Sequence, residues 1–204
     1  GRIAHFVPDL METVNAAFLS TLLGAITALI IALGSSRNMV KNPFIVQTCR
    51  RAMDIMRSFP ELVLAMIFLY LMGKSILPAV LAIWIHTTGA LGKLFSEAIE
   101  NCDKGPVEGL QSVGGGWWKR IRFAVIPQVL PILLSYTLLR LEINVRASTI
   151  LGFVGAGGIG EQLKVVIGWR HGDDVFAIIC LLVSTIIALD YLSQYVRHRL
   201  SGLR

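Results

Sequence analysis

The chain has 204 residues, 54% of them hydrophobic and only 16% charged, with a formal net charge of +6 and a mean hydropathy of +0.67. A soluble domain carries about a quarter charged residues, so this balance excludes an ordinary globular enzyme and points to a polytopic membrane protein. The basic residues are scattered through short segments between apolar stretches, with no aromatic-basic face, which argues against nucleic acid as a partner.

Five apolar stretches predict an all-α chain with five spans. The first, about 13–34, is long enough to cross a ~30 Å hydrocarbon core at about 1.5 Å per residue. A polar segment, 35–58, follows with Arg37, Lys41, Arg50, Arg51 and Arg57. The second span is expected over about 53–73, with Pro60 either kinking it or marking the first turn of its core part. The tight turn at 73–78 makes the third span, about 76–95, an antiparallel neighbour that continues as a charged helix through Glu97 and Glu100. A basic, glycine-interrupted insert separates it from the fourth span, about 129–151. A glycine-rich loop, 152–174, leads to the fifth, about 175–195, and the tail RHRLSGLR. The chain opens on Gly1 without a signal pattern, so further residues are expected upstream.

Lys and Arg near span ends collect on the inner side of a membrane. Placing 35–58, 93–128 and the tail together gives that side five, five and three of them, against Arg2, Lys74, Lys164 and Arg170 opposite. The expected topology therefore has the N-terminus of these spans outside and the tail in the cytoplasm.

Several motifs carry less than their spelling suggests. GAGGIG, from Gly155 through Gly157 and Gly158 to Gly160, fits the dinucleotide fingerprint, but no strand is predicted before it. Gly73-Lys74-Ser75 ends like a phosphate-binding loop, yet Phe68 stands where its first glycine belongs, so no cofactor site is predicted in this chain. Cys49, Cys102 and Cys180 stand far apart, and His86 has no second ligand at metal spacing, so no metal is expected and His86 reads as a hydrogen-bonded interhelical residue.

The fourth span is different, because Arg140, Glu142, Asn144 and Arg146 interrupt an apolar helix, with Arg140 and Glu142 near its midpoint. Ionisable groups at that depth face the bundle or a water-filled cavity. Glu142 and Arg146 are four apart and are expected to pair. Arg140 shares a face with Asn144 and lacks a partner in its own helix. It either serves an anionic substrate or finds its partner on another helix, and an ion-pair lock holding the bundle is the alternative role for the set.

The insert itself carries the most specific signal. In EGLQSVGGGWWKRIRFAVIP, Glu108 is followed by Gly114 six residues on, and then by Ala124, Ile126 and Pro127. This resembles the EAA loop of ABC-importer permeases, in which two short helices joined at the glycine dock on an ATPase. Gly109 and Leu110 stand where that family has two alanines, and Ala124 stands where it usually has Ile. The runs GALGKLFSEAIENCDKGPVEGL, PQVLP, RSFPELVLA and LEINVRASTILGFVGAGGIG further resemble the phosphonate-uptake branch. The resemblance implies a type I importer permease in the inner membrane. It implies a second permease copy as a homodimer, two ATP-binding subunits carrying ATP and Mg, and an extracytoplasmic binding protein delivering a phosphonate or related oxyanion. In it Glu108 caps or pairs at the docking surface, Gly114 permits the turn and Pro127 ends the loop. The 155–160 glycines would pack closely or gate the outer face. A permease for methionine or another small solute is the alternative.

Overall fold

In the computed structural model, which describes residues 2–202, helices occupy nearly all of the described chain. The first, α1, Arg2–Ser35, is 34 residues and so about 51 Å long, starting well before the expected span. Its hydroxyls are spent inside the helix: Thr13, Ser20, Thr21 and Thr27 donate to carbonyls four residues back. A polar residue satisfied in this way can be packed against another helix without an unpaired group.

That partner is α4, Leu77–Glu100. Thr27 bonds Thr88 at 2.7 Å and Ser35 bonds Ser96 at 2.9 Å, both across 61 residues of sequence. A constant offset along both helices means that they run parallel. Ala28 and Ala32 let α1 lie close to Leu91, Phe95 and Ile99, the centre of the main core.

Between them, α2, Pro43–Ser58, is started by Asn42, whose side chain accepts the Phe44 N–H at 3.0 Å. It crosses α4 where Gly89 and Gly92 leave room for its backbone and for Met53. The chain then breaks, and α3, Glu61–Met72, leaves at 83°. The cause is local: Phe59 precedes Pro60 and is extended at ψ 128, because proline disfavours the helical conformation in the residue before it. The span expected over 53–73, with Pro60 kinking it or opening its core part, is a bent pair with its break at Phe59–Pro60. At 12 residues α3 is only about 18 Å long, too short to cross a bilayer alone.

After α5, Lys104–Ser112, the chain turns into α6, Trp117–Arg120. A π turn, Ile121–Val125, carries it straight into α7, Ile126–Leu151. A second π turn, Gly152–Ala156, extends α7, and with α8, Gly158–Gly168, it fills most of what the sequence suggested as a loop. The last helix is α9, Gly172–Ser201. Four helices among the described residues have the length and composition of spans, and the bent pair makes a fifth when counted as one.

Candidate functional site: a helical elbow and a buried charge cluster

The elbow is built from its caps inward. Asp103 accepts the Gly105 N–H at 3.0 Å and starts α5. Gly114 ends it at φ +79, a conformation that costs an L side chain about 1–2 kcal/mol. There the Gly115 N–H returns to the Leu110 carbonyl at 2.7 Å. A side chain at Gly114 would meet nothing within 4 Å, so the requirement for glycine is one of backbone alone.

Two residues that the motif did not single out hold the elbow to the bundle. The Trp117 indole donates to the Met39 carbonyl at 2.9 Å. Gln128 accepts the Asp103 N–H at 2.9 Å and donates to the Asp103 and Ala124 carbonyls at 3.2 and 2.7 Å. An amide able to give and take was the available signal for Gln128, and an aromatic amid basic residues the signal for Trp117.

Val107, Ile121, Ala124 and Val125 turn inward to the main core. Leu110 and Ile126 are half-buried, while Glu108, Gly109 and Pro127 lie on the outside. Glu108 makes no hydrogen bond or ion pair among the described residues, so it caps nothing within the chain. Pro127 does not end the loop either. The helix runs through it, and the π turn immediately before it lies where a proline's missing N–H and bulky ring disturb regular helix bonding. The outward face carries Val113, Trp118 and Phe123, more than 60% exposed, beside Lys119 and Arg122. Apolar side chains with a basic border are the composition of a docking surface.

The second group joins three helices. Glu61 in the first turn of α3 meets Arg140 of α7 at 2.7 Å and His86 of α4 at 3.1 Å. Arg140 Nη2 also lies 2.6 Å from His86 Nδ1. Arg140 thus has its partner on another helix, and His86 of α4 lies within reach of both. Glu61 was missed; a lone carboxylate beside Pro60, heading an apolar run, was the signal. Asn144 is fully buried and donates to Thr21 and Thr87 at 2.8 and 2.9 Å, tying α7 to α1 and α4.

The expected Glu142–Arg146 pair does not form. Glu142 is buried and faces Arg197 of α9 at 3.6 Å, whereas Arg146 is exposed and forms no ion pair among the described residues. Spacing of four permits a pair without compelling it, and here α9 covers the Glu142 side of the helix.

The glycine-rich segment packs rather than cradles. Gly158 has φ +70, and a Cβ there would collide with Thr13 Oγ1, the atom that accepts the Ile159 N–H at 2.9 Å. Gly160 lies against the Thr149 carbonyl. A helix precedes the motif, not a strand, which removes the context of a dinucleotide site.

Residues 20–202 match the family described as binding-protein-dependent transport system inner membrane component. The chain belongs to that family. It is therefore a multi-pass component of an inner-membrane transport system, not the enzyme of that system. Among similar proteins, the phosphate-import permease PhnE of Mycolicibacterium smegmatis is 36% identical over 92% of the chain and 35% of the relative. The phosphite transport permease PtxC of Stutzerimonas stutzeri is 33% identical over 94% and 70%. A cryptic phosphonate transport permease, PhnE2 of Escherichia coli, is 47% identical over 57% and 96%. The chain thus spans about a third of the first relative's length and 70% of the second's. The fold is that of type I ABC importer permeases. A chain of the MetNI methionine transporter, in inward-facing form, superposes with a TM-score of 0.81 at 20% identity, over 96% of this chain and 95% of that one.

Proposed function

We infer that the chain is the transmembrane subunit of an ATP-driven importer of phosphonate or a related phosphorus oxyanion. The observation that carries the substrate class is the set of permeases named for phosphate, phosphite and phosphonate import that are 33–47% identical to it. The methionine transporter shares the architecture at 20% identity, a likeness of fold that supports no transfer of substrate.

In this reading two copies of the chain form the pathway, and each elbow seats on one ATP-binding subunit. Glu108, Gly109 and the exposed Trp118 and Phe123 offer the contact. Gly114, Leu110, Ala124, Ile126 and Pro127 shape the elbow behind it. ATP and Mg bind the partner ATPase, whose closure pushes the elbow. Because α6 runs without a gap into α7, that push enters the spans through one continuous helix and rocks them to open the pathway outward. Hydrolysis resets the inward-facing state. The elbow and the basic tail lie in the cytoplasm in this topology, and a binding protein delivers the anion outside.

Reconstitution tests the reading. The chain, co-expressed with a phosphonate-type ATPase and binding protein, is expected to copurify with the ATPase and to take up phosphonate, phosphite or phosphate on ATP addition. Uptake of methionine in place of all three would overturn the substrate class.

A further inference from the structure

We propose that Arg140 is the anion-binding group of the transport pathway, and that Glu61 is its resident stand-in, a carboxylate that the phosphorus oxyanion displaces. The proposal rests on the substrate reading above.

The first support is how little of the guanidinium is spent. The Arg140 side chain is only 13% exposed, yet it meets Glu61 through one nitrogen, Nη2, which also faces His86. Its Nε is buried with no hydrogen-bond partner. An arginine that serves as a strut frequently presents two parallel N–H groups to both oxygens of a carboxylate. Here the donor edge that fits two oxygens of a tetrahedral anion is left open on one side. A buried donor without an acceptor is a standing cost that such a ligand removes.

The second support is that the cluster already contains the partner Glu61 would need after displacement. His86 Nδ1 lies within reach of both Arg140 Nη2, at 2.6 Å, and Glu61 Oε1, at 3.1 Å. One ring nitrogen cannot serve both. It accepts from Arg140 as a bare nitrogen, or donates to Glu61 when it carries the proton. Once an oxyanion holds Arg140, the neutral imidazole with its proton on Nδ1 donates to Glu61. The carboxylate keeps a hydrogen bond, Arg140 exchanges one anion for another, and no net proton is taken up. Glu61 and Arg140 each keep a partner before and after the exchange, and the anion adds an acceptor for the Arg140 Nε that had none.

The third is placement. The three groups stand on three helices, and Glu61 heads α3, the short arm beyond the Phe59–Pro60 break. A change in the bend withdraws Glu61 from Arg140 while α4 and α7 stay in contact.

The test uses the whole transporter with its binding protein in proteoliposomes, with inorganic phosphate and methylphosphonate as probes. The readouts are folded amount and anion moved per ATP hydrolysed. Arg140→Lys keeps the charge for Glu61 but loses the planar fork. It is expected to fold and to lower the anion-per-ATP ratio at least about tenfold. The double variant Glu61→Gln with Arg140→Gln removes the pair without leaving a lone charge. It is expected to be as abundant as wild type, with the ratio equally low. Recovery of the ratio in the double variant would make the pair a strut and overturn the proposal, as would a wild-type ratio in Arg140→Lys or misfolding of both. Wild type that moves neither anion refutes the substrate reading and the site together, whereas active wild type with unaffected variants refutes the site alone.

Discussion

Arg197→Gln tests how α9 is held to the bundle. Arg197 faces Glu142 at 3.6 Å, just beyond hydrogen-bond reach, with Glu142 8% and Arg197 28% exposed. Removing one partner of a fully buried ion pair costs about 3–5 kcal/mol, because the other charge is left in a poor solvent. The long separation and the partial exposure of Arg197 reduce this to about 2 kcal/mol. For a chain of this size that loss lowers the Tm by about 4–8 °C. Thermal unfolding of the detergent-solubilised protein reads it, and Glu142→Gln added to Arg197→Gln should restore at least half of the shift. Arg146→Gln is the control, since that side chain is exposed and forms no ion pair among the described residues, and its effect should stay within about 0.5 kcal/mol. A large fall in Tm for Arg146→Gln with none for Arg197→Gln would show that Glu142 is held from within its own helix after all.

Gly114→Val places a β-branched residue at φ +79 in open space, so membrane insertion should survive while ATP-driven uptake is lost; wild-type uptake would refute the role of that turn. Gly158→Ala strikes Thr13 and strains φ +70, so it should loosen α8 from α1 and lower the Tm by several degrees, about 1–3 kcal/mol of overpacking; an unchanged Tm would contradict the packing at that point. In sealed right-side-out vesicles, single cysteines in 152–174 should react with an impermeant maleimide and those in 104–122 should not; equal labelling of both would show the assigned five-span orientation to be wrong.

The sequence was informative wherever one residue's own backbone chemistry decides the outcome. Gly114 at a turn between short helices was legible because left-handed φ is nearly a glycine privilege. The long apolar helices were legible by length alone. What could not be read were the partners of the charged residues. Glu142 and Arg146 satisfy the spacing rule for a pair, but the packing of α9 decides which side of α7 is covered, and that depends on contacts between residues more than fifty apart. The break at Phe59–Pro60 was visible as a proline, but the 83° bend was not, since an apolar window scores the same whether straight or folded. Residues 152–174 were misread as a loop because glycines that permit close helix contact and glycines that permit flexibility are spelled alike.

That bend also says something about what must lie against it. Phe59 and Pro60 lie between one helix and the next, so the last carbonyls of α2 and the first amides of α3 cannot all bond in helical register; among the described residues the Ser58 hydroxyl donates to the Ile55 carbonyl at 2.8 Å and the Leu64 N–H to the Pro60 carbonyl at 3.2 Å. Arg57 to Pro60 are all exposed in the single chain. Acyl tails offer nothing to an open peptide group, so a bilayer tolerates such a stretch only where water or another polypeptide wets it. Water or another polypeptide, rather than acyl tails, is what the outer edge of the corner calls for, and Glu61, one residue further on, opens α3 beside it.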